Sequence, residues 1–239
     1  GAIAYGLAAY LAKSGHIPKL WSPSGKRTAA LAAGRRLAAT GDIEANVAVE
    51  VAADCRDAII GAEAVVIALP VNGHKTVIDA AVPHLTDELP VIISSHSSFA
   101  ALYLSKRLAE RNVKLPIVVW GTTLLSGRQL GPTEVLVTTV RQKLDVATLP
   151  FDAQDQGHEL CTALFGDRFV KRDGMLAIAL SNLNPQNHLG IALLNLTRME
   201  KGEQWSQGGN VTPTVGRLIE ALDAERLAIA GHFGIAVRT

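Results

Sequence analysis

The sequence predicts an α/β protein with a doubly wound parallel sheet in residues 1–172, followed by an all-helical domain in residues 173–239. Two observations lead to this prediction. Short apolar runs alternate with helical segments through the first two-thirds, and uniformly apolar runs suit strands buried on both faces of a parallel sheet. After residue 172 no further strand pattern appears, and the remaining residues read as helices.

The composition narrows the class of protein. The 239 residues are 48% hydrophobic and 19% charged, which is typical of a globular chain. A net charge of +1 gives no electrostatic reason to expect nucleic acid or an anionic membrane surface as a partner. The apolar runs are too short to cross a bilayer. Cys55 and Cys161 fit neither a metal-binding spacing nor a disulfide framework, so we expect a cytoplasmic protein without a metal site.

The strands and helices of the first domain follow one another in regular order. The predicted strands are IPKLW (17–21), AVVIAL (64–69), PVIISS (90–95) and PIVVWG (116–121). The predicted helices lie near 25–39, 54–60, 74–83 and 99–112. EVLVTTV and LDVATLP then predict a hairpin, and FDAQDQGHELCTALFG predicts an amphipathic helix that ends at Gly166. In the second domain, Thr212 before Pro213 predicts the start of a helix.

The chain opens with a helix of mostly small residues, GAIAYGLAAYLAKSGH. In dinucleotide-binding folds of the Rossmann type, the first strand ends in G-x-G-x-x-G/A and runs into such a helix. If Gly1 is the second glycine of that motif, Ala4 takes the third position, and the strand itself would precede the chain. The predicted pyrophosphate contacts are then Gly1, Ala2, Ile3 and Ala4. The alternative is an arbitrary start before a core helix, but a β-like run at 17–21 follows at the distance of a βαβ unit.

The end of the second predicted strand indicates which dinucleotide is bound. NAD-preferring sites usually place an acidic residue there to bind the ribose hydroxyls. Here the sequence reads LWSPSGKRT, with no acidic residue before Asp42. Two hydroxyls and two cations suit a 2′-phosphate instead, and these are Ser22, Ser24, Lys26 and Arg27. We therefore predict NADP as cofactor, with NAD as the second option; a polar turn before a surface helix is the alternative interpretation.

Two further strand ends carry predicted contacts. The turn ALPVNGH is expected to cover the nucleotide through Leu69, Pro70 and Val71, although Pro70 could equally just end the strand. Thr122 and Thr123 follow the last predicted strand and are expected to border the nicotinamide and substrate. His96 is expected near the cofactor.

The helical segment LAIALSNLNPQNHLGIALLNL carries polar residues on an apolar background. In one continuous helix, Ser181, Asn184, His188 and Asn195 would share a face, and Pro185 would kink the helix. Burying such a stripe is costly unless it meets a ligand or another polar group. The segment therefore predicts His188 as general acid/base, with Asn184 and Asn195 as substrate contacts. A core histidine bonded to one of these asparagines is the alternative.

These stretches together resemble the octopine/nopaline (opine) dehydrogenase family over nearly the whole chain. The resemblance rests on GAIAYGLAAYLAKSGH, IALPVNGH, WGTTLLSGRQLGP, KLDVATLP, NLNPQNH, LLNLTRME and TPTVGRLIEALDAERLAIAGHFG. It implies a Rossmann-type domain joined to an all-helical, 6-phosphogluconate-dehydrogenase-like C-terminal domain. It also implies that His188, in an N-P-x-x-H motif with Asn184 and Pro185, is the catalytic acid/base. The implied reaction is NAD(P)H-dependent reduction of an imine formed between an amino acid and a 2-oxo acid.

The chain departs from the family pattern at both ends. The strand before Gly1 and the later helices, which in this family hold an aspartate partner for the histidine, are missing, so we expect a fragment with weak cofactor binding. The apolar closing helices predict a homodimer. Two rival functions are a ketopantoate-reductase-like reduction of a keto acid and a non-catalytic NADP-sensing module. The first relies on a lysine in the catalytic helix, and residues 174–200 contain none.

Overall fold

The computed structural model describes residues 1–95 and 99–237, which form two compact units, Gly1–Met175 and Leu176–Thr239. The helices are α1 (Ala2–Lys13), α2 (Ala29–Ala32), α3 (Cys55–Ile59), α4 (His74–Ala81), α5 (Ala100–Ala109), α6 (Gln154–Phe165), α7 (Met175–Ser181), α8 (Asn184–Leu194), α9 (Leu196–Glu200) and α10 (Pro213–His232). The strands are β1 (Lys19–Leu20), β2 (Leu37–Gly41), β3 (Ala45–Val47), β4 (Glu50–Val51), β5 (Val65–Ile67), β6 (Val91–Ile93), β7 (Ile117–Trp120), β8 (Leu125–Gly131), β9 (Glu134–Val140), β10 (Leu144–Leu149) and β11 (Phe169–Lys171).

The central sheet of the first unit has five strands in the order β11-β10-β7-β6-β5. β5, β6 and β7 are parallel, with Ile67, Ile93 and Val119 in register. β10 is antiparallel to β7, and β11 is parallel to β10. Helices alternate with the parallel strands along the chain, so the predicted α/β class is confirmed. Because parallel strands end at one edge, the loops after β5, β6 and β7 are neighbours there.

The remaining predicted parallel strand lies in a separate sheet. β1 pairs in parallel with β4, and within the described residues β1 has no other partner and β5 pairs only with β6. The predicted single sheet is therefore divided in two.

A third sheet, β3-β2-β9-β8, was not expected from the sequence. The predicted helix near 25–39 is wrong: only Ala29–Ala32 is helical, Gly34 turns the chain with a φ of 85°, and Leu37–Gly41 is a strand. Leu37 and Ala39 are buried with a less buried residue between them, which is the alternation of a strand. The strand conformation of Leu37–Gly41 depends on a segment far along the chain, since β2 pairs with β9.

The predicted hairpin of EVLVTTV and LDVATLP is also wrong. β9 pairs with β8 and β2, whereas β10 lies between β7 and β11 in the other sheet. Five of the six residues of β10 are buried, as expected for an internal strand, while β9 is only partly buried. The two strands follow each other closely in sequence but enter different sheets because their burial differs. The helix predicted after them is confirmed as α6, with Gly166 directly following it.

The second unit has helices and no strands among its described residues, and the predicted cap is present, since Thr212 Oγ1 accepts a hydrogen bond from the Val215 amide. The predicted kink at Pro185 is a complete break instead. α7 ends at Ser181, and α8 begins at Asn184 with Pro185 in its first turn, where a missing N–H costs nothing. Arg226 of α10 donates from Nη1 to the Leu180 carbonyl at 2.6 Å, which satisfies an acceptor at the end of α7.

Candidate functional site

The carboxyl edge of β5, β6 and β7 gathers several of the predicted site residues. Leu69, Pro70 and Val71 follow β5, and Thr122 and Thr123 follow β7. The strand register places these two loops on either side of the residues that follow β6. This is the edge at which open α/β sheets bind ligands.

The loop after β5 contains a residue that the sequence analysis missed. Val71–Gly73 form a 3₁₀ turn that leads into α4, whose first residue, His74, is only 3% exposed. The His74 ring donates from Nε2 to the Leu69 carbonyl at 3.1 Å, which fixes the turn that carries Leu69 to Val71. Burial lowers the pKa of His74, an effect that the hydrogen bond to Leu69 only partly opposes, so the ring is held neutral. The sequence places His74 at the start of a predicted helix, and nothing in that pattern indicates that its side chain is buried.

The loop after β6 begins with a polar residue in an apolar setting. Ser94 is 3% exposed, and its Oγ has no hydrogen-bond partner in the described part of the chain. Ser95 has a positive φ of 80°, so the chain turns sharply directly after the strand. The predicted cofactor neighbour His96 lies outside the described residues.

The loop after β7 is braced by an ion pair that the sequence analysis also missed. The Gly121 amide donates to the Asp145 carbonyl at 2.9 Å. The Asp145 side chain is nearly buried and pairs with Arg172 Nη2 at 3.0 Å. Arg141 donates from Nε to the Thr123 carbonyl at 2.8 Å. Thr122 and Thr123 are half-buried, which leaves part of each available to a ligand at this edge.

The first turn of α1 lies beside the predicted phosphate-binding turn. Gly1 is exposed, and Ala2, Ile3 and Ala4 are half-buried. Tyr5 of α1 donates a short hydrogen bond to the Arg27 carbonyl, which joins the turn to the helix. The structure therefore brings Arg27, a predicted 2′-phosphate contact, next to the helix whose first turn holds the predicted pyrophosphate contacts.

The predicted phosphate-binding turn, residues 22–27, presents polar groups without partners in the described part of the chain. The Gly25 amide donates to the Ser22 carbonyl at 3.0 Å, which closes the turn. Ser24, Lys26 and Arg27 are exposed, and neither cation pairs with a carboxylate of the described residues. Ser22 Oγ is buried and has no hydrogen-bond partner there. A phosphate needs such free donors.

The second unit places the predicted catalytic histidine differently from the sequence-based expectation. Asn184 and His188 are exposed, whereas Ser181 and Asn195 are buried. The predicted buried polar stripe is therefore wrong, because the break before α8 removes Ser181 from the helix that carries His188. Asn195 Nδ2 donates to the Ile191 carbonyl at 3.0 Å within the same segment.

Among the described residues, the His188 ring has one polar contact, which no sequence pattern predicts. Its Nδ1 lies 2.6 Å from Nε2 of Gln207, in the loop between α9 and α10. Nε2 of His188 has no hydrogen-bond partner among residues 1–95 and 99–237. The ring is thus held at one nitrogen and open to a ligand at the other.

A polar network behind His188 joins α8 to α10. Gln186, two residues before His188, is 9% exposed and donates to Asp223 Oδ1 at 3.0 Å. Arg226 donates to the same oxygen at 2.7 Å. These two hydrogen bonds lower the pKa of Asp223, Arg226 more than Gln186, so the carboxylate stays charged. The network fixes the helix that presents His188.

The described residues contain neither a membrane-spanning helix nor a metal-binding group of side chains. No helix there is both long and apolar enough to cross a membrane. No three His, Cys, Asp or Glu side chains there are grouped so that they could hold a metal ion.

Comparison with known proteins gives a family match for the region of the second unit. Residues 171–239 match the model of the NAD/NADP octopine/nopaline dehydrogenase alpha-helical domain. The chain is 28% identical to an opine dehydrogenase from Arthrobacter sp. (strain 1C) over 246 aligned positions, which cover 98% of this chain and 66% of that protein. The chain thus spans just under two-thirds of the length of this curated relative.

Solved structures show likeness of fold. Yersinopine dehydrogenase with NADP+ bound is similar at a TM-score of 0.70 and 19% identity, over 86% of this chain and 54% of that one. A ketopantoate reductase of the PanE/ApbA family from Ralstonia eutropha JMP134 is similar at a TM-score of 0.65 and 17% identity, over 100% of this chain and 74% of that one.

Proposed function

We propose that this protein, whose residues 171–239 match the model of the NAD/NADP octopine/nopaline dehydrogenase alpha-helical domain, is an NAD(P)-dependent opine dehydrogenase-like oxidoreductase. One observation carries the proposal. The segment from Asn184 to His188 retains the N-P-x-x-H motif and presents His188 with a free Nε2 on an exposed helix face. The opine dehydrogenase from Arthrobacter supports the same reaction class.

The proposed reaction joins an amino acid to a 2-oxo acid through an imine, which is then reduced at carbon. A bound nicotinamide supplies the hydride. His188 in its protonated form donates a proton from Nε2 to the imine nitrogen, so that C=N becomes CH–NH and the ring is left neutral. In the reverse direction, the neutral ring takes a proton from the substrate amine or from a bound water.

The residues of the first unit fit a dinucleotide with a 2′-phosphate. Lys26 and Arg27 have no carboxylate partner in the described chain. Ser22 Oγ is buried and has no hydrogen-bond partner there. We assign these residues and Ser24 to the 2′-phosphate, hence NADP, with NAD as the second option. We assign Gly1, Ala2, Ile3 and Ala4 to the pyrophosphate, and Leu69, Pro70 and Val71 to the cover of the nucleotide.

The substrate contacts remain proposals. Thr122 and Thr123 offer hydroxyls at the carboxyl edge of the sheet, and Asn184 offers an exposed amide on the same face as His188. For Asn195 we propose the carbonyl oxygen, since its nitrogen bonds to the Ile191 carbonyl. A cytoplasmic location and a homodimer also stay predictions.

The experiment that tests this function compares two variants of α8. We expect His188→Asn to lower turnover of NADPH with a 2-oxo acid and an amino acid by about 10²–10⁴-fold, because general acid catalysis is lost. Affinity for NADPH should not change. The control is Asn184→Ala, which should mainly raise the KM of the substrate. Near-normal turnover in His188→Asn would show that His188 is not the acid.

A keto acid reductase without an amine substrate is the second candidate, favoured by the likeness to ketopantoate reductase across the whole chain. Against it, residues 174–200 contain no lysine. The two candidates differ in one measurement. NADPH oxidation that requires an amino acid supports the opine reaction, and oxidation with a 2-oxo acid alone supports the reductase.

A further inference from the structure

We propose that Gln207 is the positioning residue of His188, which fixes the imidazole through Nδ1 and so makes Nε2 the nitrogen that exchanges the proton. This inference rests on the proposed function for its catalytic consequence, but the contact itself does not. The two side chains meet at 2.6 Å although 19 positions separate them in sequence. A contact between two exposed side chains so far apart in sequence requires that the loop carrying Gln207 be held in place.

The loop after α9 is held by Arg198. Its guanidinium pairs with Glu203 at 2.7 Å and donates a short hydrogen bond to Asn210. It also lies 5.4 Å from the ring centre of Trp205. Asn210 in turn donates to the Ser206 carbonyl at 2.6 Å. One arginine thus ties both ends of the segment 203–210, and Gln207 lies within it.

An amide is suited to this role because it offers both a donor and an acceptor. The Gln207 NH₂ group can donate to Nδ1 in the neutral form of the ring that carries its hydrogen on Nε2. If the amide turns over, its carbonyl oxygen can accept from Nδ1–H. That hydrogen is present both in the protonated ring and in the neutral ring left after Nε2 gives its proton away. Gln207 can therefore hold the ring in one orientation while Nε2 gains and loses a proton.

Two charged groups on the surrounding elements are already engaged with other side chains. Arg198 is paired with Glu203 on the loop side. On α10, Asp223 binds both Arg226 and Gln186. Among the described residues, Gln207 is the one whose side chain is hydrogen-bonded to the His188 ring. The protonation pattern of the ring should accordingly respond to position 207.

The test combines ¹⁵N NMR of the histidine side chains with steady-state kinetics on the full chain. The His188 signals are assigned by their loss in His188→Asn. Gln207→Leu keeps the approximate size of the side chain and removes both its donor and its acceptor, whereas Gln207→Glu keeps only an acceptor. Gln204→Leu, an exposed glutamine in the same loop, is the matched control.

We expect the ¹⁵N shifts of His188 to change in Gln207→Leu toward a mixture of tautomers, and in Gln207→Glu toward protonated Nδ1, because a carboxylate can only accept a hydrogen bond. Turnover should fall by about 3- to 10-fold in Gln207→Leu, with the KM of NADPH unchanged. Gln204→Leu should match the unmodified protein in both measurements.

Unchanged His188 shifts in both Gln207 variants would overturn the positioning role, whatever the activity. Shifts that move while the unmodified protein reduces no imine would support the contact and refute the proposed function instead. Shifts that move while turnover stays normal would overturn the catalytic consequence of the contact.

Discussion

At the scale of single residues, the protein places two histidines in opposite surroundings. His74 is buried and bonded to a carbonyl of its own turn. His188 is exposed, bonded to an amide at Nδ1 and open at Nε2. A buried neutral ring stabilises a turn, whereas an exposed ring with one free nitrogen can exchange a proton with a ligand. The same residue type therefore serves structure in one unit and is proposed to serve chemistry in the other.

The buried histidine makes stability depend on pH. Burial holds the pKa of His74 below its ordinary value of 6.5, so the unfolded chain binds a proton that the folded chain rejects. The free energy of unfolding should therefore fall as the pH drops from about 7.5 to about 5.5. In His74→Asn this fall should be smaller, as measured by urea unfolding at several pH values.

The control for this prediction is His16→Asn, since His16 is exposed. Carboxylates act in a lower window: hydrogen bonds from Lys75 and Tyr103 lower the pKa of Asp79 from its ordinary 3.8, so its contribution is lost below that pH. An identical slope in the unmodified protein and His74→Asn would contradict the assignment to His74.

Lys26 and Arg27, which pair with no carboxylate of the described residues, predict the cofactor preference. We expect Lys26→Ala combined with Arg27→Ala to weaken NADPH binding by roughly 10- to 100-fold, because charged hydrogen bonds to the 2′-phosphate are lost. NADH binding should change little. Fluorescence titration with both cofactors measures this. A charge-matched double variant, Lys13→Ala with Arg35→Ala, should keep the preference, and equal affinity of the unmodified protein for both cofactors would refute the NADP assignment.

At the scale of elements, the position of α8 depends on its packing against α10. A Cβ on Gly190 would lie 2.8 Å from Cγ1 of Ile219, which is closer than side chains tolerate. Glycine at this position therefore lets the two helices approach. The hydrogen bond between Gln186 and Asp223 fixes the same pair of helices one turn away. Together they set the helix that carries His188.

Two identical substitutions in these helices should have opposite effects. We expect Gly190→Ala to lower the free energy of unfolding by about 1–3 kcal/mol, because the added methyl group forces α8 and α10 apart. Gly216→Ala should raise it by about 0.5–1 kcal/mol, since nothing lies within 4 Å of the added Cβ and alanine favours the helix. Chemical denaturation of both variants measures this, and equal effects would contradict the packing argument.

At the scale of the whole molecule, the first unit is built around one core that joins helices to two sheets. Trp120 of β7 packs edge-on against Phe165 of α6, with ring centres 5.3 Å apart. Its indole nitrogen donates to Cys161 Sγ at 3.3 Å. α1 contributes Tyr10, whose hydroxyl donates to the Phe165 carbonyl at 3.0 Å. The central sheet is thus anchored to the first helix through α6.

The reactivity of the two thiols shows whether this core is folded. Burial raises the pKa of Cys161 to about 12, and its side chain is inaccessible, so a thiol reagent should reach it only after the unit unfolds. Cys55 is half-buried, and burial followed by the charge of Asp54 raises its pKa, so it should react slowly in the folded protein. Mass spectrometry should find one modified thiol without denaturant and two with it. Cys55→Ser should remove the first modification, and two modified thiols in the folded protein would contradict the core assignment.

The sequence by itself determined the features that rest on local pattern. The apolar runs located β5, β6 and β7, because strands buried on both faces leave a continuous apolar signature. α6 and its end at Gly166 followed from helical periodicity and a terminal glycine. The free cations of the turn at 22–27 and the motif around His188 were also visible, since they depend on residue type and spacing alone.

The tertiary structure alone decided what depends on distant partners. β2 is a strand because β9 pairs with it, and β9 and β10 enter different sheets, in which β9 is partly buried and β10 is buried at five of its six residues. The segment around Pro185 breaks rather than kinks because Arg226 satisfies the exposed carbonyl at Leu180. His188 is exposed and meets Gln207 because a loop clamped by Arg198 returns to it. Such contacts join residues that no local period connects, so only the folded chain could determine them.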